Sequence, residues 1–97
     1  MDEARLREDA EAHGSATVAG DLKTAGSYLD KEAYGPAGQV MEKMPKPLEG
    51  SEVGSVEVEG DAALVQIRYS GGGDEVVIES RWAERDGTPK IVGLRVL

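Results

Sequence analysis

His13 is the only histidine in this chain, and there is no cysteine. Those two facts narrow the side-chain chemistry before any fold is considered. A lone imidazole in a pocket can act as a general acid or base, or as a hydrogen-bonding group. It can equally be a core or rim residue whose ring nitrogens are satisfied by neighbours. Without cysteine there are no disulfides and no thiolate ligands. One histidine with no Asp/Glu cluster at ligand spacing predicts no metal site, and no cofactor motif is present. Ser15, Ser27 and Ser80 lie in no Gly-x-Ser-x-Gly elbow, so a serine hydrolase is unsupported. Gly71-Gly72-Gly73 is followed by neither a helix nor Gly-Lys-Ser/Thr, and reads as a flexible hairpin tip rather than a phosphate loop. What remains is a set of large residues with polar tips. Tyr28, Tyr34, Tyr69, Trp82, Met41 and Met44, with His13, suit the lining of a small apolar pocket and equally suit a plain core.

The elements that must position these residues follow from periodicity. From Asp2 to about Val18, Leu6, Ala10, His13 and Thr17 fall on one stripe at spacings of four, three and four, which predicts a helix with His13 on its buried face. Gly14 and Gly20 thin that helix and would let it lie close to a sheet. Gly20 can end it, and Asp21 can cap a second helix in which Leu22, Ala25 and Leu29 share a face, running to about Ala33. A third helix is signalled by Pro36 at the first helical position, with Ala37, Val40, Met41 and Met44 following at i, i+3, i+4 and i+7. Pro45-Lys46-Pro47 ends it in an extended connector.

The second half is cut by glycine turns at Gly60-Asp61, Gly71-Gly72-Gly73 and Asp86-Gly87. Runs rich in Val and Ile between such turns predict an antiparallel meander of four strands, about Glu52–Glu59, Ala62–Ser70, Glu75–Glu84 and Pro89–Leu97. Alternation turns Ala63, Val65, Ile67 and Tyr69 toward the helices, with Val76, Ile78, Ser80 and Trp82 and then Val92, Leu94 and Val96. The opposite face carries Gln66, Arg68, Glu79, Arg81 and Arg95, with Val77 and Ile91 among them. The fold class is therefore α+β, a single domain over 1–97 with helices over about 2–44 and the sheet over about 51–97.

Composition bounds the partners. The chain has 97 residues, three tyrosines, one tryptophan and no phenylalanine. A domain of this length buries only roughly 60–65% of its unfolded surface, so a second copy adding buried area would be useful, and a homodimer is expected. The formal net charge of −8 comes from acids spread along the chain, a balance that disfavours nucleic acid and anionic membranes. No apolar run approaches about 18 residues, and Met1-Asp2-Glu3-Ala4-Arg5 has no signal-peptide pattern. The expected location is cytoplasmic.

Three stretches together resemble the NTF2-like (SnoaL-like, cystatin-like α+β) superfamily. They are Thr17-Val18-Ala19-Gly20-Asp21-Leu22, Val58-Glu59-Gly60-Asp61-Ala62-Ala63-Leu64-Val65 and Arg81-Trp82-Ala83-Glu84-Arg85-Asp86-Gly87-Thr88-Pro89-Lys90-Ile91-Val92. The resemblance implies a curved sheet wrapped around helices as a cone, often with a pocket at its open end, and frequent homodimers through the outer sheet face. The strand pair often found between helices and meander is not evident, and the Pro36–Met44 helix takes its place, giving a shortened cone. Members include isomerases, cyclases, dehydratases, transport factors and non-catalytic accessory domains, so the fold alone predicts no activity. The steroid-isomerase branch needs a carboxylate base and a Tyr-plus-acid oxyanion hole. No carboxylate falls on the inward strand positions here except near strand ends, as at Glu84. Asp30 and Glu32 lie where they could approach a pocket, but nothing in their spacing requires it.

The sequence thus supports first a non-catalytic domain, homodimeric through its sheet, that binds a small apolar ligand or a protein partner. Its pocket would involve His13, Tyr28, Met41, Met44, Tyr69 and Trp82, and its interface Arg68, Glu79, Arg81 and Arg95. The alternative is a pocket enzyme of isomerase, cyclase or dehydratase type acting on a small organic substrate with His13 as acid or base. An accessory domain of a larger protein is a third reading.

Overall fold

Asp2 opens the first helix, α1 (Glu3–Ala19), by accepting hydrogen bonds from the backbone N–H groups of Ala4 and Arg5 at 3.0 and 3.4 Å. These are donors that no helical carbonyl can reach. Gly20 closes the helix at φ 75°, and Asp21 N–H returns to Ala16 O at 2.9 Å, the chain reversal that a left-handed residue permits. The stripe of Leu6, Ala10, His13 and Thr17 is buried along its length. The computed structural model describes residues 1–97.

Asp21 caps α2 (Leu22–Gly26), accepting from Thr24 N–H at 3.1 Å. The helix expected to run to Ala33 stops here. Main-chain bonds to the sheet replace the helical ones: Ile91 N–H donates to Tyr28 O at 2.7 Å and Asp30 N–H to Ile91 O at 2.8 Å, making a parallel bridge at Leu29. Asp30 then caps a 3₁₀ turn over Lys31–Ala33 that leads into α3 (Tyr34–Lys43). Pro36 is the third residue of α3, not the first as expected. Its missing N–H costs nothing there, because the first four helical donors have no intrahelical partner. Met44 is extended and the helix ends before Pro45.

The sheet comprises β1 (Gly50–Glu59), β2 (Ala62–Gly71), β3 (Asp74–Arg85) and β4 (Thr88–Val96), antiparallel and in the order β1-β2-β3-β4. Each connection is a two-residue turn. Gly72-Gly73 and Asp86-Gly87 have both residues at positive φ, the backbone twist that joins neighbouring strands directly. The glycine run is a hairpin tip as expected, with its first glycine in the strand and its turn in contact with the preceding connector. Gly71 belongs to β2 and pairs with Asp74, and a Cβ on it would stand 1.8 Å from Pro47 O. Gly72 N–H donates to Glu49 Oε1 at 2.8 Å, so the connector from α3 crosses this turn in direct contact. Gly14 serves a second close approach: its Cβ would lie 2.9 Å from Ser51 Oγ, which sets α1 down on β1.

Two bulges bend the sheet around α1. In β1, Val53 opposes Ile67 and Val56 opposes Val65, so Gly54 and Ser55 share one partner position. The extra residue brings Val53, Val56 and Val58 to one face. In β4, Gly93 opposes Arg81 and Ile91 opposes Trp82, leaving Val92 as the additional residue. This corrects the alternation expected for β4. Ile91, assigned to the outer face, is fully buried against the helices, and Val92 is buried within the bulge. Leu94 is half-buried opposite Ser80, and Val96 opposite Ile78 is 41% exposed.

The core sits between α1 and the concave face, around Leu6, Val65, Ile67, Tyr69, Trp82 and Ile91. Each buried aliphatic side chain among them contributes about 1.5–3 kcal/mol. Trp82 Nε1–H donates to Ser80 Oγ at 2.9 Å, and Ser80 Oγ donates to Val65 O at 3.1 Å. The polar atoms inside the sheet layer are thereby satisfied, as burial requires.

Candidate functional site

A cavity of about 210 Å³ lies between the three helices and the concave face of the sheet. His13 and Thr17, one turn apart on α1, form one wall with Tyr69 of β2. Leu22, Ala25 and Leu29 form a second, from α2 and the segment after it. Val40 and Met41 come from α3, Met44 from the residue just after it, and Ile78 and Leu94 from β3 and β4. Leu22 and Met41 are 63% and 40% exposed, which places them at its mouth.

The polar groups gather on the α1 wall. His13 Nδ1–H donates to Ala25 O at 3.0 Å. Burial pushes the imidazole pKa below its usual value, and the bond to Ala25 offsets part of that effect. The ring is therefore neutral at neutral pH, with its hydrogen on Nδ1 and a lone pair on Nε2. That nitrogen has no bond within the protein, and no fully enclosed side-chain N or O atom in the fold lacks a partner. Nε2 is therefore partly accessible, on a residue that borders the cavity. Thr17 Oγ donates to His13 O at 2.9 Å, fixing the hydroxyl one turn along the same wall. Burial pushes the Tyr69 phenol up to about 12, with the neighbouring Thr17 hydroxyl opposing the shift. Tyr69 is thus a neutral O–H at any physiological pH.

Of the residues singled out from sequence, His13, Met41, Met44 and Tyr69 border this cavity, whereas Tyr28 and Trp82 do not. Those two stand behind His13. The ring centroids are 6.0 Å apart for His13–Tyr28, 6.5 Å for His13–Trp82 and 6.2 Å for Tyr28–Trp82, all edge-to-face. They hold the imidazole plane rather than meet a ligand. Tyr34 is 60% exposed at the start of α3. Thr17, Leu29, Val40, Ile78 and Leu94 border the cavity without having been singled out for it. The periodicity puts Thr17 on the His13 stripe, Leu29 and Val40 on the apolar helix faces and Ile78 and Leu94 on the inward strand face, but none of it separates a cavity wall from a filled core. Asp30 and Glu32 turn away to Arg85, at 3.7 and 2.9 Å, and no carboxylate borders the cavity. No three His, Asp or Glu side chains come together as a metal-ligand group.

The convex face carries the four charged residues expected there. Arg68 lies 3.3 Å from Glu52 and Arg95 2.7 Å from Glu79, each pair directly opposite in register. Arg81 has no acidic partner and extends over Gly93. Beside it in register, Leu64 is 38% exposed, between Arg81 and Glu57. No helix is long and apolar enough to cross a membrane.

The sequence matches no protein-family model and no curated protein. In structure the chain is similar to a crystal structure of an NTF2-like protein of unknown function from Burkholderia xenovorans LB400. The two share 24% sequence identity at a TM-score of 0.64, over 98% of this chain and 83% of that one. Three helices packed on an open four-stranded antiparallel sheet are thus an NTF2-like α+β arrangement, as the sequence motifs implied.

Proposed function

We propose that this NTF2-like domain holds a small apolar molecule in its cavity without transforming it, and that two copies pair through their convex sheet faces. The observation that carries the reading is the cavity itself, about 210 Å³ of largely apolar wall with its polar atoms confined to one side. An engineered apolar cavity of about 150 Å³ is enough to bind benzene. A fixed polar group on an apolar wall is the usual means by which such a site orients its occupant.

The alternative, a pocket enzyme with His13 as acid or base, draws on the open Nε2. Two features favour binding over proton transfer. The group that orients the imidazole is the Ala25 carbonyl and not a carboxylate, and no carboxylate borders the cavity. An imidazolium formed there would have no counter-charge in apolar surroundings, which penalises it. Pairing through the convex face is favoured by the exposed Leu64 beside an unpaired Arg81.

Titration with ethylbenzene, followed by NMR of the Val40, Ile78 and Leu94 methyl groups, tests the binding reading. Saturable shifts at these three positions are expected. Methyl resonances that stay in place up to the solubility limit would remove it.

A further inference from the structure

The polar wall also restricts what the occupant can be, and this step rests on the binding reading above. His13 Nδ1–H is committed to Ala25 O. In a neutral imidazole the other ring nitrogen is an acceptor only. A ketone, ether, ester or nitrile offers no hydrogen to it. A carboxylate would present lone pairs to a lone pair, and would lose its water in an apolar cavity at high cost. An ammonium group would meet no carboxylate in the lining, so it too would be a desolvated and uncompensated charge. Neutral O–H donors satisfy the site without such a charge penalty.

Size follows from volume. The cavity exceeds the roughly 150 Å³ that takes a benzene ring, which leaves room for about eight to ten non-hydrogen atoms. Tyr69, 2% exposed, borders the same cavity, with its phenol beside the Thr17 hydroxyl.

We propose that the cavity recognises a small neutral hydroxyl compound, a monocyclic phenol or an alcohol of similar size, whose O–H donates to His13 Nε2. Its hydrocarbon body lies against Leu29, Val40, Ile78 and Leu94. His13 is then the residue that selects hydroxyl compounds over their ethers and hydrocarbons.

The test compares 4-ethylphenol, its methyl ether 4-ethylanisole, and ethylbenzene on the wild-type protein. Dissociation constants are measured by calorimetry, and the His13 Nε2 resonance is followed by ¹⁵N NMR. The two controls bracket the phenol in size, so a steric preference cannot imitate a hydrogen bond. The phenol is expected to bind about tenfold tighter than either control, the worth of one buried hydrogen bond, and to be alone in moving the Nε2 resonance. Equal affinity of phenol and ethylbenzene, or tight phenol binding with Nε2 unmoved, overturns the assignment and leaves the apolar-binding reading standing. Failure of all three compounds to saturate overturns both.

Discussion

Nδ1 of His13 lies 3.0 Å from the main-chain oxygen of Ala25, and this bond joins α1 to α2 across the Gly20-Asp21 turn. It commits the ring hydrogen to Nδ1 and leaves Nε2 as an acceptor. Tyr28 and Trp82 press their edges toward the same ring. The imidazole therefore ties α1 to α2 through Nδ1 and keeps Nε2 without a partner in the protein.

Replacing His13 with alanine removes a buried ring and strips Ala25 O of its donor. The expected loss is about 2–4 kcal/mol of unfolding free energy, measured by urea denaturation. A change under about 0.5 kcal/mol would show that the ring is not part of the core.

Stability should fall as pH drops through the histidine range. Burial lowers the folded pKa of His13 below its usual 6.5. From that value downward the unfolded chain holds more protons than the folded one, so stability rises with pH across the window and is lost on acidification. Urea midpoints taken between about pH 8 and 5 check this. The component above the carboxylate range should vanish in His13→Leu.

Tyr69 produces the opposite slope in alkali. Its phenol is raised from 10.0 to about 12 in the folded state. The stabilisation is complete below the unfolded value and disappears as pH climbs through the folded one. The effect is on the order of 2–3 kcal/mol. Tyr69→Phe should be markedly less sensitive between those two values, as read by circular dichroism.

Gly71→Ala should be severe, because the new methyl group would fall 1.8 Å from a main-chain oxygen, Pro47 O, which has no rotamer to escape by. A loss above about 2 kcal/mol is expected. Gly73→Asn, at φ 85° with open space around it, should cost less than about 1 kcal/mol. Thermal melts of the two variants separate a collision from simple backbone preference.

Pairing through the convex face predicts a dimer mass by sedimentation at micromolar concentration. Arg81→Glu would set three acids, with Glu57 and Glu79, around Leu64 and should return the monomer. A monomer mass for the wild type, or an unchanged dimer in the variant, removes that pairing.

The strands, their turns and the buried stripe of α1 were all legible, because alternation and four-residue periodicity act locally. Helix two was overextended because nothing local distinguishes Tyr28-Leu29-Asp30 from a continuing helix. Its fate is decided by Ile91, more than sixty positions away, whose N–H and C=O compete for those residues. The bulge at Val92 was invisible for a related reason: Ile91-Val92 is an unbroken apolar pair, and only pairing with Arg81 and Trp82 reveals which residue is extra. In the site, His13 stood out by rarity. That Tyr28 and Trp82 stand behind it, while Ile78 and Leu94 face the void, depends on how three helices meet the sheet.

The devices that bend β1 and β4 also decide how the protein can meet copies of itself. These two strands are the borders of an open sheet, where unpaired main-chain groups invite another strand. At β4 the Tyr28–Asp30 segment occupies the N–H and C=O of Ile91. At β1 the Gly54-Ser55 kink interrupts the ladder, Arg7 takes the Gly54 carbonyl at 3.1 Å, and Glu52, Glu57 and Glu59 are exposed along the strand. Each margin thus carries a feature that works against lateral growth from strand to strand. The face-to-face pairing proposed above, about a two-fold axis, would consume its own surface and stop at two, a closed particle rather than a fibre.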